Sequence, residues 1–103
     1  MQLTVSTFRT DCTDKEQAKK VLEEAAEAYG AWEGLAATRE VEASLGAYAM
    51  MVPSFADDLA DEIADTITAC ANLAERYGLD LQAALGRVER KNRERGRYEN
   101  GCG

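Results

Sequence analysis

Three features of the sequence predict an all-α fold. Nearly half of the residues are hydrophobic and many of these are alanine, proline occurs once, at Pro53, and apolar residues recur at helical spacing through most of the 103 positions. A chain of this length has room for one core, so residues 1–103 are read as one domain whose helical part spans about 14–98. Helices faced with Ala25, Ala26, Ala28, Ala64 and Ala71 can approach closely but bury little area each. A thin core of that kind favours self-association, with a dimer as the minimum.

Four helices are expected in order. The opening Gln2-Leu3-Thr4-Val5-Ser6-Thr7-Phe8 alternates briefly and reads as a short extended arm or one edge strand. Thr13-Asp14-Lys15-Glu16 has the form of a capping box, in which the Thr hydroxyl and the Glu carboxylate satisfy free amides at a helix start. That helix carries Ala18, Val21, Leu22, Ala25, Tyr29 and Trp32 on one side, and Gly34 is available to end it. Val41, Leu45, Tyr48 and Ala49 suggest a short second helix over 35–52, weakened by Gly46 and closed by Pro53. Ser54 is a suitable N-cap for a third helix running through Leu59, Ile63, Ile67, Cys70 and Ala74 to Gly78. Asp80 can then cap a last helix bearing Leu81, Ala84, Leu85 and Val88, which should lose order around Gly96.

The formal charge of -7 and the absence of histidine exclude several classes of function. A sequence-independent grip on nucleic acid or on an anionic membrane is not expected. Without imidazole there is no Ser-His or Cys-His nucleophile and no histidine metal site, so any catalysis must use carboxylates, Lys, Tyr, Cys or a metal. The three cysteines, Cys12, Cys70 and Cys102, show no CxxC spacing, and no secretory signal or membrane-spanning apolar run accompanies them, so a reducing cytoplasm is expected. Cys70, on the apolar side of its helix, reads as a small core residue.

Glu23, Glu24 and Glu27 form an EExxE cluster on the first helix, with Glu24 and Glu27 neighbours at i,i+3. On the third helix Asp58, Glu62 and Asp65 share a stripe, so Glu62 and Asp65 make a second pair. If the two helices pack antiparallel with the pairs facing, the mutual repulsion becomes favourable only around a hard divalent cation. Mg²⁺ is the natural occupant, with Mn²⁺ an alternative, because it takes oxygen ligands and bridges to phosphates. By spacing alone the same acids also fit ordinary solvated faces, since they lie roughly opposite the Val21/Leu22/Tyr29 and Ile63/Ile67/Ala74 stripes.

The segments Val21-Leu22-Glu23-Glu24-Ala25-Ala26-Glu27 and Asp61-Glu62-Ile63-Ala64-Asp65 resemble the ExxE and ExxD halves of the MazG-like all-α nucleoside triphosphate pyrophosphohydrolases, in the same order. The resemblance covers roughly residues 14–98. It implies a four-helix bundle, dimeric or tetrameric, with Glu24, Glu27, Glu62 and Asp65 as Mg²⁺ ligands and catalytic residues. The implied reaction is hydrolysis of a (d)NTP to (d)NMP and pyrophosphate, in the cleaning of nucleotide pools. The segment between the halves, with Gly46 and Pro53, is longer than in many members, which leaves the nucleoside pocket undefined.

The stretch from Arg87 to Tyr98 holds six of the chain's twelve cations. It resembles the end of the family fold that closes over the nucleotide, which implies substrate contacts from Lys91, Asn92 and Arg95; Lys91 and Arg95, at i,i+4, share a face. A solvated helix end whose cations complement the dipole fits the same residues. Trp32 can stack on a base or sit in the core. The chain is therefore expected to be a hydrolase acting on nucleoside triphosphates, with no nucleic-acid or membrane partner. The rival expectation is a non-catalytic helical interaction or regulatory module that retains the fold.

Overall fold

Residues 1–45 and 52–100 are described by a computed structural model, with the side chains at 42, 44, 45, 52, 53 and 100 excepted. The order is an irregular arm, then α1 (Asp14–Leu45), α2 (Val52–Arg76), α3 (Leu81–Glu94) and the single turn α4 (Arg97–Asn100). No strand occurs among the described residues, so residues 1–10 are an arm and not an edge strand.

The expected capping box starts α1: Thr13 N donates to Glu16 Oε2 at 2.9 Å and Glu16 N to Thr13 Oγ1 at 3.2 Å. Gly34 does not end this helix, and α1 continues unbroken to Leu45 where the sequence suggests a separate second helix. The reason is packing. A Cβ at Gly34 would stand 3.2 Å from two ring carbons of Phe55, so the glycine gives the α2 ring its seat while the helix runs on beneath it. Gly46, Tyr48 and Ala49 lie outside the described residues.

Ser54 is not the N-cap of the next helix, because α2 already begins at Val52. Pro53 falls in the first turn, where a missing amide donor has no partner to lose. At the other end Gly78 adopts φ +63°, with Leu79 N donating to Ala74 O at 2.9 Å and Gly78 N to Glu75 O at 3.1 Å, a Schellman closure. Asp80 then caps α3 through Ala83 N at 3.0 Å. Order continues past Gly96, whose φ of +69° turns the chain into α4.

Contacts Asp14–Arg76, Glu24–Asp65 and Gly34–Phe55 run in opposite directions along α1 and α2, which makes the pair an antiparallel hairpin. Its seam is narrow: Leu35, Ala69, Ala71 and Ala74 are the buried apolar residues, beside buried Gln17, Glu24, Thr38 and Asn72. Of the alanines expected at close helix contacts only Ala71 is buried, while Ala25, Ala26 and Ala64 are exposed. Leu22, Tyr29, Trp32 and Ile63 also face outward, and Cys70 is exposed instead of lying in the core. The hairpin thus closes on its polar, acid-bearing side.

Helix α3 packs chiefly with α4 and not with the hairpin, leaving Leu81, Leu85 and Val88 exposed. The radius of gyration, 17.2 Å, exceeds the about 13 Å of a compact chain of this length. No described helix is long and apolar enough to cross a membrane.

Candidate metal centre

Inward positions on α1 recur at helical spacings of seven, eleven and three residues, at Gln17, Glu24, Leu35 and Thr38, and on α2 they include Glu62, Ala69 and Asn72. This phase carries Glu24 into the seam at 7% exposure, so a solvated face does not describe that residue. Glu24, Glu62 and Asp65 each bring one carboxylate oxygen to within 4.8 Å of the others. One acid of the first helix and two of the second therefore converge, in the antiparallel arrangement that the sequence leaves as a condition. Glu27 lies beside them, and its carboxyl is pushed above the ordinary carboxylate range first by Glu24 and further by Glu62.

The cluster is incompletely satisfied. Glu24 Oε2 and Glu62 Oε2 are buried with no hydrogen-bond partner among the described residues. Glu24 Oε1 lies 2.8 Å from Lys20 Nζ, one turn earlier on α1. That ammonium holds the Glu24 carboxyl below its ordinary value against the opposing effect of burial, and the pair raises Lys20 in turn.

Two cavities flank the acids. One, of about 450 Å³, lies beneath the arm and is bordered by Phe8, Gln17, Lys20, Glu24, Asp65 and Asn72. The other, of about 410 Å³, is bordered by Glu27, Gly34, Phe55, Asp58, Asp61 and Glu62. The arm is fixed over the first by three anchors. Phe8 N donates to Asn72 Oδ1 at 2.9 Å, Thr10 Oγ1 donates to Gln17 Oε1 at 2.7 Å, and Arg76 reaches both Asp14 Oδ1 and Cys12 O at 2.6 Å.

Other residues singled out by sequence stand elsewhere. Trp32 borders neither cavity; it is 51% exposed, which removes the core role, and its ring centroid lies 5.7 Å from that of Tyr29. Lys91 and Arg95 are exposed on or next to α3, away from the acids of their own chain, and Asn92 Oδ1 accepts from Arg97 at 3.0 Å. Sequence reasoning passes over Lys20, Gln17 and Asn72. Their signal is position: Lys20 and Gln17 precede Glu24 by four and seven residues, and Asn72 follows Asp65 by seven, which puts each on the face of an acid. No protein-family model matches the chain, and neither curated proteins nor solved structures give a match.

Proposed function

We propose that the chain is a Mg²⁺-dependent nucleoside triphosphate pyrophosphohydrolase that converts a (d)NTP and water to (d)NMP and pyrophosphate. The observation that carries this reading is the pair of unpartnered buried oxygens, Glu24 Oε2 and Glu62 Oε2, in an acidic cluster drawn from two helices. Buried acceptors without donors are costly, and a cation shared between them removes the cost for both. An all-carboxylate donor set suits a hard divalent ion, Mg²⁺ first and Mn²⁺ next. Glu24, Glu62 and Asp65 would hold it, with Glu27 completing the set. Such an ion, when bound, supplies a lowered pKa for water and positive charge for phosphate oxygens. The likeness of the two acidic segments to the MazG-like family supports the same reaction, with a role in nucleotide-pool cleaning. Free Cys12 and Cys70 fit a cytoplasmic setting.

The same reading takes the enzyme to be a homodimer or homotetramer. Exposed Leu22, Tyr29 and Trp32 on α1 and Leu81, Leu85 and Val88 on α3 are apolar surface that a second hairpin could cover, and two hairpins together make a four-helix bundle. A second reading, a non-catalytic interaction module, draws on that same α3 stripe. Thermal melts with and without Mn²⁺ separate the two, because only a metal site gains stability from the ion by mass action. The direct experiment is a panel of nucleotides assayed with Mg²⁺ for pyrophosphate. At least one (d)NTP should yield pyrophosphate and monophosphate; release of inorganic phosphate instead, or no turnover across the panel, overturns the proposal.

A further inference from the structure

We propose that Lys20 serves two anions in turn: it pairs with Glu24 while the acidic cluster is without metal, and binds a substrate phosphate from the cavity beneath the arm once Glu24 is engaged by a divalent cation. This role rests on the reading of the cluster as the metal site of a nucleotide hydrolase. Lys20 stands on a boundary. Its Nζ lies 2.8 Å from Glu24 Oε1, and its side chain, 53% exposed, lines the cavity that Phe8, Gln17 and Asn72 enclose.

Both flanking cavities carry an excess of acids, and they differ in whether cations stand among them. Among the described residues the one against Phe55 is bordered by Glu27, Asp58, Asp61 and Glu62 and by no cation, so a polyphosphate approaching there meets carboxylates without an ammonium beside them. The one beneath the arm is bordered by Lys19 and Lys20 together with Glu16, Glu23, Glu24 and Asp65. A phosphate is therefore opposed less on the arm side, where two cations stand beside the cluster. Glu24 cannot give its full charge to Lys20 and to a divalent ion together, because sharing the carboxylate weakens each pairing. Lys20 has a flexible four-carbon stem and solvent access, so it can swing into the cavity. A triphosphate carries more negative charge than one divalent ion neutralises, and an ammonium at that position meets the remainder.

The test uses the full chain and base-free probes. Mn²⁺ alone, and then inorganic tripolyphosphate at saturating Mn²⁺, are titrated calorimetrically into wild type, Lys20→Met and the control Lys15→Met, which changes the net charge equally at an exposed position outside the cavity. In Lys20→Met, Mn²⁺ should bind about twofold to tenfold more tightly, because a competitor for Glu24 is gone, while tripolyphosphate binds about tenfold or more weakly. Lys15→Met should match wild type in both titrations. Tripolyphosphate affinity in Lys20→Met equal to that of Lys15→Met overturns the role of Lys20 and leaves the metal site standing. Absence of Mn²⁺ binding in wild type overturns the metal site itself and the Lys20 proposal with it.

Discussion

Glu24 of α1 and Glu62 of α2 face one another across the hairpin seam, each burying one carboxylate oxygen that no donor among the described residues reaches. The buried apolar residues described in the same seam are Leu35 and three alanines, so the acids share the interior with a small apolar core. Replacing Glu62 by Gln deletes one charge and almost no volume. Turnover should fall at least ~100-fold while circular dichroism stays that of the native helices. Neutral isosteres at Glu24, Glu27 and Asp65 should behave alike, and near wild-type rates in these variants would remove the metal assignment.

A pH dependence follows from Glu27. Its carboxyl is raised by Glu24 foremost and by Glu62, so its folded pKa lies above the unfolded value of about 4.3. The stability it contributes is fully present below that unfolded value and is lost as pH rises through the raised one. Glu24 runs the other way: held down by Lys20, it stabilises above its unfolded value and loses that contribution as pH falls. In EDTA, Glu27→Gln should therefore match wild type at the acidic end of this window and melt higher than wild type at neutral pH. Adding Mn²⁺ at neutral pH should reverse that order, since the variant lacks a ligand. Melts in EDTA and Mn²⁺ at each pH check both statements, and a variant less stable than wild type in EDTA at neutral pH contradicts the first.

The two glycines in the middle of α1 separate backbone cost from packing. A Cβ at Gly30 meets nothing within 4 Å, whereas one at Gly34 meets the Phe55 ring at 3.2 Å. Gly30→Ala should raise stability by about 0.5–1 kcal/mol through helix propensity. Gly34→Ala should gain less or turn negative, because the ring must shift by a few tenths of an ångström. Chemical denaturation of the two variants tests this, and equal gains would show that the ring moves at no cost.

These positions also show how far the sequence can be read. The convergence of Glu24, Glu62 and Asp65 is legible in part: i,i+3 and i,i+4 spacing fixes which acids share a face of one helix, while their meeting depends on how α1 and α2 pack. The capping box at Thr13, the Gly78 stop and the Asp80 cap are legible because each is decided within a few residues. Gly34 misleads because the ring that occupies its missing side chain belongs to α2, and nothing local announces Phe55. Cys70 and Trp32 mislead in a related way: apolar stripes face a core only when the chain has one to offer, and this hairpin closes on its polar side. Lys20 is marked in the sequence only by its place four residues before Glu24, and that place gains meaning from the burial of Glu24.

Self-association is expected from the exposed stripes. Light scattering should give at least twice the 11.2 kDa chain mass at micromolar concentration. Leu85→Asp, at the middle of the exposed α3 stripe, should lower that mass or raise the concentration needed for assembly if α3 takes part in the interface. A wild-type monomer at micromolar concentration contradicts the expectation directly.

The basic end presents the sharpest question about the assembly, because Lys91 and Arg95 stand apart from the acids of their own chain. If they grip a triphosphate, a neighbouring subunit is one place from which the acids of that site can come. Lys91→Met with Arg95→Met keeps the apolar stems and removes the charges, so NTP affinity should fall by about 1.5–3 kcal/mol for each charge-assisted hydrogen bond removed. NMP affinity should fall much less, since the β- and γ-phosphates are absent. Cations that only complement the helix dipole would instead cost a few tenths to about 1 kcal/mol of stability and leave the NTP-to-NMP ratio unchanged. Titration of both ligands in a Glu62→Gln background, at metal levels beyond which affinity no longer changes, measures the ratio. Mixing then tests the partner. Subunits carrying Glu62→Gln and subunits carrying the double change are each inactive if both groups matter. After random exchange between dimers, roughly a quarter of the sites combine intact acids from one chain with intact cations from the other, provided the site is shared between chains. Recovery of activity on mixing identifies that arrangement. An altered ratio without recovery assigns the cations to their own chain, and an unchanged ratio removes them from the phosphate site.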